Sequence, residues 1–311
     1  MLISRTMKKF IIQIVIFFAL LFVIDRVVGF SFSYMYKHSK GEHIGRQFYI
    51  ADKTHEDILI FGSSRAVHHY NPQILSDSLG LSCYNCGLDG YGIILYYGWW
   101  QMIKERYHPK VILYDVTKNF DLVVGEDNHK YLGCLKEFYD RPNIHGIFDD
   151  VDKNEKYKMM SQMYRYNSRF HRITADYLGS SNCKKSNGFK PMKGELDTMR
   201  VKKKDDNEMV SKKKPIFDPF KIEYLNKLIN ETEGVKLIFV VSPIWYGLDE
   251  EVLTPIRDIC EKRKIPFLDY SKSPKYVHID KYFKDGAHLN ARGADEFSRD
   301  LAHQVKDLIS M

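Results

Sequence analysis

"DILIFGSSRAVHHYNP", Asp57 to Pro72, is the stretch that decides how the chain is read. Ile58–Phe61 is an apolar run of strand length that stops at Gly62-Ser63-Ser64. A short run of this kind, ended by a glycine turn, reads as a strand buried on both faces. Eight residues on, Asn71-Pro72 reads as a helix start, with Asn as the N-cap and Pro at the first helical position. A hydroxyl residue on a tight turn between a strand and a helix is where several hydrolase folds carry a serine nucleophile. The rest of the chain must supply its partners.

The same alternation continues outward. Strands are expected at Asp57–Phe61, Ser82–Asn85, Val111–Val116, Lys236–Val241 and Pro266–Asp269. Helices are expected at Pro72–Leu79, Ile93–Tyr107, Pro219–Thr232, Glu250–Lys264 and Ala291 to Leu308. The last helix has Ala294, Phe297, Leu301, Val305 and Leu308 at steps of three or four, one apolar face. Alternating β and α elements predict a mostly parallel sheet covered on both faces, with its site at the strand C-terminal ends. The segment from Phe120 to about Pro215 breaks the rhythm and reads as a large insertion, a lid with a mobile Lys-rich part. Trp99-Trp100 read as core, with a sugar-stacking platform as the alternative.

Composition narrows the function classes. The 311 residues are 44% hydrophobic and 28% charged, with a net charge of +7. Eleven Lys/Arg against five Asp/Glu between Lys184 and Lys214 account for six of those charges, so the remainder is near neutral and nucleic-acid binding is excluded as the main function. The Lys-rich stretch reads as a solvated insertion, or as a face for an anionic glycan or membrane surface, and protease is expected to nick it first.

At the N-terminus, "FIIQIVIFFALLFVI" (Phe10–Ile24) is followed by Asp25-Arg26 and a further apolar stretch to Phe30. Residues 1–30 read as a membrane anchor, since about 20 apolar residues span a bilayer. Arg5, Lys8 and Lys9 before the run place the N-terminus in the cytoplasm and the rest outside. A cleaved signal peptide is the rival reading, but no clear A-x-A site is present. Residues 31–53 read as a juxtamembrane linker and 54–311 as the catalytic domain with its insertion at about 120–215. Of the five cysteines, Cys83 and Cys86 lie along a strand, where extended chain keeps them too far apart to bridge, and no second pair completes a zinc site. They read as small buried residues.

Polar candidates gather at the strand ends: Ser63 and Ser64, Asn85 with Gly87 and Gly90, Thr117-Lys118-Asn119, and Ser242. In "FKDGAHLNARGADEFS" (Phe283–Ser298), Asp285 and His288 sit three apart just before the last helix. That spacing lets a carboxylate orient an imidazole that faces a serine. Glycines 87 and 90 let main-chain N–H groups approach a developing oxyanion, and an Asn amide can add a donor.

These residues resemble the SGNH/GDSL hydrolase superfamily. Gly62-Ser63-Ser64 stands where the first block has Gly-Asp-Ser, with Ser64 at the nucleophile position. Asn85-Cys-Gly-Leu-Asp-Gly90 resembles the second block, with Gly90 as the oxyanion glycine. Thr117-Lys-Asn119-Phe keeps the Asn of the third block but lacks its glycine and following Asp. Asp285-Gly-Ala-His288 matches the last block, Asp-x-x-His. The resemblance covers about residues 60–311, interrupted by the insertion. Gly-Ser-Ser together with an N-terminal anchor is similar to the membrane-anchored envelope branch, which includes proteins of teichoic-acid D-alanylation and alginate acetylation.

The resemblance implies a three-layer, flavodoxin-like α/β fold. It implies a serine esterase or O-acyltransferase acting outside the membrane on acyl, chiefly acetyl, esters of a polysaccharide, with no metal or organic cofactor. Ser64, His288 and Asp285 would be catalytic, and Gly90 and Asn119 would hold the oxyanion. Arg65, Trp245 and Tyr246 are further candidates for substrate contact. His68 and His69 read as helix or loop residues. The expected partners are the acylated glycan, the membrane and a membrane-bound acyl-donor protein, and the expected location is the periplasmic side of the cytoplasmic membrane. The alternative is a non-catalytic glycan-binding or assembly subunit on a degenerate fold of the same kind.

Overall fold

The computed structural model of the chain describes residues 5–180, 182–197 and 214–310. Five strands form one parallel sheet: β1 (Ile58–Gly62), β2 (Cys83–Asn85), β3 (Val111–Asp115), β4 (Lys236–Val241) and β5 (Phe267–Asp269). Their order is β2-β1-β3-β4-β5. The register pairs Ile58 with Cys83 on one side of β1 and with Val111 on the other. This is a doubly wound α/β arrangement, and its order reverses between β1 and β3, the switch point at which such sheets open a crevice.

Every residue of β1, β2 and β3 is buried. Alternate side chains feed two cores. On one face Leu59, Phe61, Ile112, Tyr114, Phe239 and Val241 pack with the helices Ile93–Lys104 and Pro219–Glu231. On the other, Ile58, Ile60, Leu113, Ile238 and Val240 pack with Leu75, Phe297, Leu301 and Val305. The last helix, Ala291–Ser310, therefore turns its apolar face inward as its periodicity predicts. Trp99 and Trp100 are fully buried, which excludes a sugar platform. All five cysteines are free and buried.

Three expectations need correction. Residues 31–53 are no linker. The first helix runs from Arg5 to His38, and a second, Ile44–Asp52, buries Ile44, Arg46, Gln47, Ile50 and Ala51. The buried Tyr36 hydroxyl, donating to Gln47 Oε1 at 2.8 Å, ties the two together. Second, the insertion is built of short helices from Lys118 to Leu178, and it packs along the first helix and against Ile93–Lys104. Over that range it is packed helix. Third, residues 184–192 expose Lys184 and Lys185 as expected but are not loose chain: they run across the site end of the sheet. There the Asn85 N–H donates to Asn187 O (2.9 Å), the Lys190 N–H to Val67 O (3.1 Å) and the Ala291 N–H to Met192 O (2.8 Å). Main-chain pairing, which charge content does not report, fixes this half. The other half, 198–213, lies outside the described residues.

The first helix is 34 residues long, and among the described residues it is the one helix long and apolar enough to cross a membrane.

Candidate active site

The turn after β1 is set by Gly62. Its φ of +134° suits glycine, and a Cβ there would lie 2.7 Å from Asp115 O and 3.0 Å from the Ala66 Cβ. The close approach lets the chain leave the sheet abruptly, so that the helix Ser64–His69 begins at once with Ser64 in its first turn. Asn85, fully buried at the end of β2, holds that helix. Its amide donates to Ala66 O (2.6 Å) and Tyr70 O (3.0 Å), and its Oδ1 accepts from the Gly87 N–H (2.9 Å). One side chain thus satisfies carbonyls near the helix end and shapes the glycine turn after β2.

Across the crevice, residues 283–289 form a tight loop. Phe283 and Leu289 pair as an antiparallel bridge, and the Lys284 N–H donates to His288 O at 2.8 Å. Asn290 closes the loop by donating to Lys281 O (3.0 Å) and accepting from the Gly293 N–H (3.0 Å) at the start of the last helix.

The loop delivers His288 to the serine. The Ser64 hydroxyl donates to His288 Nε2 at 2.8 Å, and the His288 Nδ1–H donates to both oxygens of Asp285 at 3.0 Å. Asp285 Oδ1 also accepts from the N–H groups of Ala287 and His288, each at 2.9 Å. Burial raises the Asp285 pKa, but the bonds from His288 and the two N–H groups outweigh it and hold the carboxyl below its ordinary range. The carboxylate therefore stays ionised and its partner nitrogen stays protonated. That leaves Nε2 as the acceptor facing Ser64, the arrangement general-base activation of a hydroxyl requires.

Beneath this row lies a second, fully buried one. The Leu289 N–H donates to His69 Nε2 (2.9 Å), the His69 Nδ1–H to Ser242 Oγ (3.0 Å), and the Ser242 hydroxyl to Asp115 Oδ2 (2.5 Å). Asp115 Oδ1 faces the Arg65 guanidinium at 3.2 Å. His69 accepts at one nitrogen and donates at the other, so it is neutral, and burial followed by the charges of His288 and Arg65 keeps its pKa well below the usual value. The chain of bonds ties the residue after His288 to the ends of β3 and β4.

The remaining candidates fall out as follows. Arg65 is buried and spends its guanidinium on Asp115 and the carbonyls of Val116 and Ser242. It is a strut under the site rather than a substrate contact, because its guanidinium is turned to the fully buried carboxyl of Asp115. Trp245 is likewise buried. Its indole N–H donates to Asp280 (2.8 Å) and its main-chain N–H to Gly286 O (3.1 Å), which pins the Asp285 loop. Tyr246 is exposed on the neighbouring turn. The Gly90 N–H points at the Gly62–Ser64 turn and donates to Ser63 Oγ at 3.1 Å. Asn119 stands exposed after β3, its carbonyl held by Lys221 Nζ at 2.9 Å.

Sequence reasoning missed the buried row and one acid. Asp121, buried, accepts from the Ile93 N–H (2.8 Å), the Tyr114 hydroxyl (2.7 Å) and the Thr117 N–H (2.6 Å), and burial pushes it up to about 7. It joins the β3 turn to the start of the helix Ile93–Lys104. The available signal was Asp115 itself, an acid inside an apolar strand that demands a buried partner. His68, read as a helix or loop residue, does lie in the helix Ser64–His69. It bridges Lys190 O (2.6 Å) and Asp89 (3.1 Å) and so clasps the 184–192 segment over the site.

No protein-family model matches the chain, and neither does any curated protein. Several solved structures match; one of them, a crystal structure, does so over 82% of this chain and 96% of its own, at 14% identity and a TM-score of 0.35.

Proposed function

We propose that the chain is a serine-dependent esterase or O-acyltransferase of the SGNH type. It acts on acyl esters of an extracytoplasmic polysaccharide, with acetyl as the leading acyl group. The observation that carries this reading is the unbroken row Ser64–His288–Asp285, with its proton positions fixed by Asp285. The order of its motifs along the sequence and the placement of Ser64 beside the β1/β3 switch point support it.

In the proposed reaction Ser64 Oγ attacks the ester carbonyl as its proton passes to His288 Nε2. Asp285 steadies the imidazolium. The oxyanion is met by the Ser64 N–H, which as a first-turn group has no intrahelical acceptor. The Gly90 N–H joins once it exchanges the Ser63 hydroxyl for the incoming oxygen, and the exposed Asn119 amide is the third donor. The sugar alkoxide leaves with the proton from His288, giving an acyl-Ser64 enzyme. Water or a second sugar hydroxyl, deprotonated by His288, then attacks the acyl group and Ser64 departs. Hydrolysis and transfer differ only in which hydroxyl arrives second.

We place the protein as a single-pass membrane protein, with Arg5, Lys8 and Lys9 on the cytoplasmic side and the catalytic domain outside. Acetate release from, or acetyl transfer to, an O-acetylated polysaccharide by the full chain in detergent tests the activity. Release by wild type and none by Ser64→Ala is expected. Equal turnover by both would remove the serine mechanism.

A further inference from the structure

We propose that the insertion carries a membrane-seated foot: Tyr157, Met160, Met163 and Phe170 enter the outer leaflet beside the spanning helix. This rests on the reading of that helix as a membrane span. From Phe10 to Ile24 the first helix is bare on all sides, and from Asp25 onward the insertion covers one face of it. Asp25 accepts from the Ser161 hydroxyl (2.6 Å) and from the N–H groups of Gln162 (2.9 Å) and Met163 (2.8 Å), so it caps the helix Gln162–Tyr166. Arg26 donates to Met160 O at 2.6 Å. The two backbones meet so closely that a Cβ on Gly29 would lie 2.2 Å from the Gln162 Cβ.

Depth follows from helix geometry. A hydrocarbon core of about 30 Å takes about 20 residues at about 1.5 Å each. Counted from Phe10, just after Lys9, that reaches Gly29. Asp25 then lies about 6 Å inside the outer boundary, and the turn 160–163 lies there with it. An acid at that depth is costly unless its oxygens are occupied, and this turn occupies them. The same turn leaves Met160 68% and Met163 45% exposed, flanked by Tyr157 at 64% and Phe170 at 54%. Tyr157, Met163 and Phe170 line an open groove of about 710 Å³ whose other wall is Val28 and Phe32 of the spanning helix. The groove is continuous with the bare helix, so the occupant it fits is lipid acyl chain. Lys156, exposed on the same segment, is placed to reach headgroups, as Tyr and Lys do at bilayer interfaces.

The test uses the full chain in phospholipid nanodiscs, with nitroxide labels at Met160→Cys and Met163→Cys. The native cysteines are all buried and leave the label to the new sites. Phe17→Cys, mid-span, and His303→Cys, exposed on the last helix, serve as references. Collision with oxygen against a water-soluble nickel chelate reports depth. Labels at 160 and 163 should be oxygen-rich and several-fold less accessible to nickel than the label at 303, as at 17. If 160 and 163 match 303 while 17 stays in lipid, the foot is refuted and the span stands. If all four are open to nickel, the span reading fails and the proposal falls with it.

Discussion

The strand ends and the insertion differ in what holds them. At the strand ends, residues far apart in sequence lock through buried polar bonds: Ser64 to His288, His69 to Leu289, Ser242 to Asp115. In the insertion, short helices find their place by leaning on the first helix and on Ile93–Lys104, with Asp25 and Arg26 as the polar contacts to the turn at 160–163. The first region is specified by buried side-chain chemistry at a few positions, and the second by helix packing joined by polar bonds to the first two helices, as where Asp176 accepts from the N–H groups of His43 and Ile44. A substitution at the site should therefore act on chemistry with little effect on the insertion, and the reverse.

The largest effect should come from the site. Ser64→Ala and His288→Ala should each lower turnover by roughly 10⁴-fold or more, with Asp285→Ala about a hundredfold milder because the imidazole persists, and the losses should not add. Steady-state rates of the single and double variants measure this. Full activity in Ser64→Ala would make Ser63 the next serine to test.

Asn85→Ala comes next. It strips the carbonyls of Ala66 and Tyr70 and the Gly87 N–H of their partner in a fully buried setting. A loss of about 3 kcal/mol in unfolding free energy is expected, since each orphaned buried group costs about 1–3 kcal/mol. Denaturant unfolding reads it. A loss confined to activity would mean that Asn85 holds the nucleophile turn but not the helix.

Smaller still is a pH effect at His69. Folded, it stays neutral because the Leu289 N–H occupies Nε2. Unfolded, it takes a proton below about pH 6.5. The unfolded state then binds more protons, so stability falls as pH drops below that value and goes on falling until the folded pKa is reached. Gln at this position retains an acceptor for Leu289 and lacks the titration. Between pH 6.5 and 5.5 wild type should lose about 1 kcal/mol more than His69→Gln. Equal losses would show that the buried row does not resist protonation.

The smallest expected effect tests the independence of the two regions. Asp25→Ala should change kcat/KM on a small soluble ester by less than about twofold, as sites without shared partners act additively. A larger drop would show that docking of the insertion reaches Ser64.

The same contrast explains what was legible. Gly62-Ser63-Ser64, the apolar runs of β1 to β4 and the face Ala294–Val305 are local patterns, and the structure realises them within a residue or two. Ser64, Asp285 and His288 were legible because a turn serine, and an acid three residues before a histidine, are local signals. Arg65 and Trp245 read as substrate contacts because an Arg or Trp side chain near the strand ends looks the same in sequence whether it faces solvent or, as here, Asp115 and Asp280. Residues 184–192 looked solvated from their charge. What fixes them is pairing of their main chain with Asn85 and Val67, and the side-chain sequence carries no trace of it.

The central claim is that Ser64 is a nucleophile activated by His288. A fluorophosphonate probe, with the adduct located by peptide mass spectrometry, tests it most directly. One stoichiometric adduct on Ser64 is expected in wild type, strongly slowed in His288→Ala and absent in Ser64→Ala. No adduct in wild type, or one on Ser63 that persists in Ser64→Ala, would contradict it.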